Sequence, residues 1–177
     1  MGIKDTYSIV RVSSDWIKEI VEDKHYLGRM GATSYAFGLF ETNTKDLVGA
    51  ITYGTPTSPA LAKGICGEEE RLNVIELTRL WTEDDTPTNT ESFLIGNTIP
   101  KLNKEILVSF ADKSKGHSGI VYQATNWIYV GKCASERRRR PRSQSLWRHA
   151  PTYSSWDGER RDRPVPVGSG SRPQQGK

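Results

Sequence analysis

The sequence predicts an α/β (α+β) fold, a mixed central sheet flanked by helices, confined to residues 1–132 and followed by a disordered basic tail over 133–177. Three observations predict it. Apolar runs with strand periodicity alternate with segments of helical spacing, in the order β-α-ββ-β-α-β-α-β. A chain of 177 residues is long enough to bury one core without covalent staples. The composition also changes abruptly at Lys132. Residues 1–132 carry 14 Lys+Arg against 17 Asp+Glu, a net of −3; residues 133–177 carry 11 against 4, a net of +7.

Tyr7 to Val12 (YSIVRV) opens the pattern as a short strand. Ser13-Ser14-Asp15 offers cap chemistry, and Trp16, Ile17, Ile20 and Val21 recur at helical spacing to about Lys24. HYLGRMGA, punctuated by Gly28 and Gly31, reads as a loop. Ser34–Glu41 and Leu47–Tyr53 are β-rich runs about a TNTKD turn, hence a hairpin. Leu72–Trp81 alternates apolar with polar residues, as a half-buried strand does. After a polar loop, Phe93, Leu94, Ile95, Ile99 and Leu102 mark a helix that Pro100 kinks or ends early. ILVSFA (106–111) is a continuous apolar run, suited to a strand covered on both faces. A short helix over 118–126 and a strand at WIYV (127–130) complete the order.

The tail differs in kind. It uses ten Arg and one Lys, and Leu146, Val165 and Val167 are its only Leu, Ile, Val or Phe. So little apolar surface cannot offset chain entropy, so disorder is expected. Two origins fit: a foreign, out-of-frame or fused segment, or an Arg-rich nucleic-acid arm. Because the positive charge belongs to the tail, net charge is no argument that the domain binds nucleic acid. Cys66 and Cys133 form no CxxC pair, which excludes a disulfide framework or zinc knuckle. No run approaches the ~18 apolar residues of a membrane helix, and MGIKDTYSIV lacks a signal-peptide pattern. A reducing, intracellular setting without membrane contact is expected.

Three clusters carry a specific resemblance: His25-Tyr26-Leu27-Gly28; Ile75-Glu76-Leu77-Thr78-Arg79-Leu80-Trp81; and Ser109-Phe110-Ala111-Asp112 with Gly116-His117-Ser118-Gly119, Tyr122-Gln123-Ala124-Thr125-Asn126-Trp127 and Tyr129-Val130-Gly131. Together they resemble the Mom-type DNA modification proteins of bacteriophages over about residues 7–132. The element order also matches the GNAT-like acyltransferase fold. The resemblance implies a transferase that adds an acetamide-like (carbamoylmethyl) group to the 6-amino group of adenine in double-stranded DNA. The modification protects phage DNA from host restriction, in the cytoplasm of the infected bacterium. It further implies acetyl-CoA as donor and a bound iron, with Tyr26, Asp112 and Tyr122 as metal-site or catalytic candidates and His25 beside them.

Read from the residues, each candidate has two meanings. His25, at a helix-to-loop junction, suits acid–base work or a simple interaction with the helix dipole. Asp112 ends a strand at the carboxyl edge where open sheets place ligands; it can take a proton, bind a metal, or cap the next segment. His117 and Tyr122 lie within ten residues of it and complete the catalytic set. Arg79, Ser109 and Asn126 are the expected cofactor contacts, although Arg79 suits a pair with Glu76 equally well. Asn126 and Trp127 could read or stack a flipped base, or Trp127 could belong to the core. The acids Glu83-Asp84-Asp85 stand where GNAT proteins carry a Gly-rich pyrophosphate loop, and would repel that group unless they point away. An ordinary N-acyltransferase of small amines or proteins, and an inactive DNA-binding remnant, are the alternatives.

Overall fold

The computed structural model describes residues 2–132 and 144–149. Its elements are α1 (Ile3–Thr6), β1 (Tyr7–Val12), α2 (Ser14–Lys24), β2 (Tyr35–Glu41), β3 (Leu47–Gly54), α3 (Pro59–Glu70), β4 (Val74–Thr82), α4 (Thr90–Thr98), β5 (Ile106–Asp112), α5 (Ile120–Gln123), β6 (Trp127–Lys132) and β7 (Gln144–His149). The seven strands form one sheet in the order β1-β2-β3-β4-β5-β7-β6. Only β4 and β5 run parallel; every other pair is antiparallel. That single parallel step needs a crossover, which α4 supplies.

Strand alternation sends side chains to two faces. Phe37, Leu39, Ile51, Tyr53, Ile75, Leu77 and Leu107 pack with Leu94 and Ile95 of α4 and Tyr122 of α5. The opposite face seats α2 through Ile17 and Val21 on Ala36 and Ala50. It seats α3 through Ala62 on Val74, Val108 and Leu146. The caps read from sequence are present: Ser13 Oγ accepts from Trp16 N–H at 3.2 Å. Pro100 acts as expected, α4 stopping at Thr98 with a 3-10 turn over Ile99–Lys101.

Three elements depart from the sequence expectation, the first being the four-residue helix α1 ahead of the opening strand. The helix α3 begins with Ser58 as N-cap and Pro59 in the first turn, and is broken by Gly67 at φ 86°. Gly64 and Gly67 interrupt the apolar periodicity that would have announced it. More consequential is β7, which falls within the segment expected to be disordered. Gln144–His149 lies between β5 and β6, pairing with both, and Ser145, Leu146 and Trp147 are buried. A six-residue strand needs only alternate buried side chains once both neighbours supply hydrogen bonds, so the Arg-rich average around it decides nothing. The rest of the proposed tail, 133–143 and 150–177, lies outside the described residues. No described helix is long and apolar enough to cross a membrane.

Candidate functional site

The parallel pair creates the site. Residues of β4 and β5 pair from Val74↔Ile106 to Leu77↔Ser109 and no further, although β4 continues to Thr82 and β5 to Asp112. The strands therefore part at their carboxyl ends, the position where open sheets bind ligands. A cleft of about 1170 Å³ occupies the gap.

A bulge in β4 determines what enters it. Thr52 pairs with Arg79 and Tyr53 with Leu77, leaving Thr78 as the extra residue. Its hydroxyl lies 2.8 Å from that of Thr52. Continuing the alternation of Ile75 and Leu77 would have driven Arg79 into the apolar core; the bulge turns it away. Arg79 is buried. Its Nε donates to the Arg29 carbonyl at 2.8 Å and its Nη1 to the Thr78 carbonyl. The guanidinium thus fastens the loop after α2 onto β4. Gly31 is required at the contact, since a Cβ there would stand 2.9 Å from Thr78 Cβ.

That loop carries His25 and Tyr26. The His25 amide ends α2 by donating to Val21 O at 3.0 Å, and its Nδ1 accepts from Leu27 N–H at 3.2 Å. Burial first, then the charge of Arg79 and of His117, lowers its pKa from 6.5 to about 4. At neutral pH the ring is therefore uncharged, and with Nδ1 accepting, the proton sits on Nε2. His25 lines the cleft as a neutral imidazole. A consequence for stability follows. Between pH 6.5 and about 4 the unfolded chain protonates His25 while the folded protein resists. His25 should therefore weaken the fold as pH falls through that window and leave it unchanged above 6.5. An NMR titration of the His25 ring should show its midpoint near pH 4; a midpoint near 6.5 would refute this.

Ser109 and Tyr122 close the floor of the cleft. Ser109 Oγ donates to Leu77 O at 3.2 Å and lies 2.8 Å from the Tyr122 hydroxyl. With the serine proton directed at the carbonyl, Tyr122 must donate to Ser109. Burial pushes the Tyr122 phenol up to about 12, so it stays protonated. His117 stands beside Tyr26, ring centroids 5.2 Å apart, and Tyr26 stacks on His25 at 4.5 Å.

The cleft thus brings together His25, Tyr26, Arg79, Ser109, His117 and Tyr122. Asp112 and Asn126 are not among its lining residues. Strand alternation sets Asp112 with Val108 and Phe110, away from Ser109. Its Oδ1 accepts from Ser114 N–H at 3.0 Å and Ser114 Oγ at 2.6 Å, capping the turn Lys113–Lys115. Asn126 holds a left-handed turn at φ 62°. Trp127 is a core residue against Tyr122. Of the three residues that the resemblance implies for iron, Tyr26 and Tyr122 line the cleft, and Asp112 is not among its lining residues. Among the described residues no three His, Cys, Asp or Glu side chains are grouped to hold a metal.

Three charged lining residues were not singled out from sequence: Arg29, Glu76 and Glu91. Glu76 accepts from Thr57 N–H at 2.8 Å. Burial raises both carboxyls above the ordinary range, that of Glu91 against the pull of His117. A signal existed for Glu76, a charge at an inward register of a central strand. The acids Glu83, Asp84 and Asp85 do not line the cleft. Glu83 pairs instead with Lys24 at 3.2 Å, and Asp84 and Asp85 are exposed.

Comparison with known proteins agrees with this fold. A putative acetyltransferase from Acinetobacter baylyi superposes with a TM-score of 0.57 at 14% identity, covering 81% of this chain and 91% of that one. A variant of spermidine N-acetyltransferase from Vibrio cholerae gives 0.55 at 9% identity, covering 81% and 91%. A Bacillus subtilis acetyltransferase in complex with CoA gives 0.50 at 11% identity, covering 82% and 97%. These likenesses establish the GNAT-like fold. In sequence, the chain is 33% identical over 129 residues to the methylcarbamoylase Mom of Escherichia phage Mu. That alignment covers 69% of this chain and 53% of the phage protein, so the chain spans about half the length of that relative. The Mom protein family model matches residues 6–163, through β7 and beyond, and the chain belongs to the Mom protein family.

Proposed function

We propose that the protein is a DNA-modifying transferase. It acts on the 6-amino group of adenine in double-stranded DNA, adds a carbamoylmethyl (acetamide-type) group, and shields phage DNA from restriction in the cytoplasm of the host bacterium. The observation that carries this reading is the cleft at the parted ends of β4 and β5, walled by residues of all three clusters that carry the resemblance, within the span that the family model matches. Kinship with a phage methylcarbamoylase supports the group transferred.

The target amine is a weak nucleophile because its lone pair is delocalised into the purine. A new N–C bond requires that the amine lose a proton. Glu91, whose carboxyl is raised by partial burial, is the group we assign to take it. Neutral His25 and the Arg79 guanidinium are placed to orient polar atoms of donor or base. Acetyl-CoA is the donor this reading favours, supported by the CoA complex of a fold neighbour. The unpaired edges of β4 and β5 and the first-turn amides of α4 at Glu91 and Ser92 would hold it. When bound, it would supply an acetyl unit with the CoA thiol as leaving group; a carbamoylmethyl product would draw its amide nitrogen and the oxidant for the methyl carbon from co-reactants other than acetyl-CoA.

Nucleosides from DNA of cells expressing the full chain, resolved by mass spectrometry, should include an adenosine adduct. Unmodified adenosine, alongside acetyl-CoA turnover on a small amine, would identify an ordinary N-acyltransferase instead. Asp112 offers a second check. Asp112→Asn preserves the acceptor for Ser114 and should keep adduct formation within about threefold. Asp112→Ala removes the cap and should lower stability by about 1 kcal/mol. An Asn variant that folds normally yet makes no adduct would return Asp112 to the reacting groups.

A further inference from the structure

The loop between β5 and α5 delivers an exposed apolar side chain to the lining of the cleft. Ile120, the first residue of α5, is 69% exposed, although it lines the cleft. This aliphatic group, held out in water at the cleft mouth, belongs to none of the three buried clusters. It is also held firmly. Gly116 and Gly119 take positive φ, 78° and 82°, and His117 N–H donates to Asp112 O at 3.3 Å. Gly119 lies against the Trp147 indole so closely that a Cβ would come within 2.5 Å of it. Ile120 therefore projects from a braced turn.

Around it stand the complements of a nucleic acid. Lys113 and Lys115 are exposed on the same loop, and Arg29 lines the facing wall. Tyr26, 46% exposed, and His117, also exposed, form a pair of rings at the mouth. A base inside a duplex cannot reach a cleft between two strands of a sheet, so it must leave the stack first. Proteins that open stacks commonly insert an Ile, Leu, Phe or Met side chain between base steps.

We propose that Ile120 is the wedge that enters the base stack of duplex DNA, and that the Tyr26–His117 ring pair receives the displaced adenine. The assignment rests on the adenine-modifying reading above and adds how the base is obtained. The lysines of the loop fix the phosphate backbone beside the wedge, and base-stacking falls to Tyr26 and His117 rather than to Trp127, which is in the core.

The test compares two oligonucleotide duplexes, one with the target adenine paired to thymine and one with it opposite an abasic site, where no partner holds it. Ile120→Ala, at an exposed position, should slow adduct formation about tenfold or more on the paired duplex and stay within about twofold of the parent on the abasic one. Ile120→Leu should restore the paired reaction. Equal losses on both duplexes, or none on either, would overturn the wedge. If the parent protein modifies neither duplex, the adenine-modifying reading fails by itself. The wedge is then decided by 2-aminopurine emission in a paired duplex: a rise on binding the parent but not Ile120→Ala supports it, and any other pattern overturns it.

Discussion

Replacing Trp147 with alanine is expected to lower folding stability by about 3–5 kcal/mol, the usual cost of emptying a buried aromatic site. Trp147 is 5% exposed and packs against the rings of Tyr122 and Tyr129 at 5.8 and 5.3 Å. It also supports Gly119, and through it the loop that carries His117 and Ile120. Urea titration should therefore show a clearly lower midpoint, and adduct formation should fall further than stability alone explains. A chain ending at Lys132 should fare worse. It would leave β5 without its partner from Leu107 to Asp112 and β6 without any partner strand, exposing an apolar edge prone to association. An unchanged midpoint for Trp147→Ala would mean that β7 contributes nothing, and the tail would return to being a disordered appendage.

This prediction turns on what composition hides. The domain's strands and three of its helices were legible because their periodicity is local, and YSIVRV, SYAFGLFE and ILVSFA each declare a face within six or eight residues. The strand QSLWRH declares none of this, since its neighbours average to Arg, Ser and Pro. Its place in the sheet depends on edges that β5 and β6 offer from elsewhere in the chain, and such non-local hydrogen bonding leaves no trace in a window. The site was legible to a similar depth. Shared motifs brought out His25, Tyr26, Ser109, His117 and Tyr122, all of which line the cleft. Asp112 and Asn126, from the same motifs, are placed at turns, Asp112 capping the one over Lys113–Lys115 and Asn126 at a left-handed φ. A motif records that a residue type is needed, and the fold decides whether its side chain meets ligand or backbone. Glu91 escaped notice because a carboxylate in the first turn of a helix already has an explanation in the dipole. Only the parting of β4 from β5 turns that turn into a wall of the cleft.

Arg79 is the case in which both meanings compete most sharply, and Arg79→Lys separates them. Sequence left it between a cofactor phosphate and a pair with Glu76. Its donors are directed instead at the carbonyls of Arg29 and Thr78, so its first task is to hold the loop that bears Tyr26 over β4. Lysine keeps the positive charge but has a single tetrahedral head, which cannot serve two carbonyls in the geometry of a planar fork. If Arg79 only supplied charge to an anionic donor, lysine would preserve most activity and raise the apparent KM alone. If it positions the loop, kcat should fall by about a hundredfold with a smaller change in KM, since misplacing reacting groups by an ångström costs on that order. Limited proteolysis gives an independent reading. The segment around Arg29 should be cut much faster in Arg79→Lys than in the parent, while cleavage elsewhere is unchanged. A lysine variant with parent-like proteolysis and a change confined to KM would show that the guanidinium serves the ligand directly and that the loop is held by other contacts, of which the close approach of Gly31 to Thr78 is the first to test.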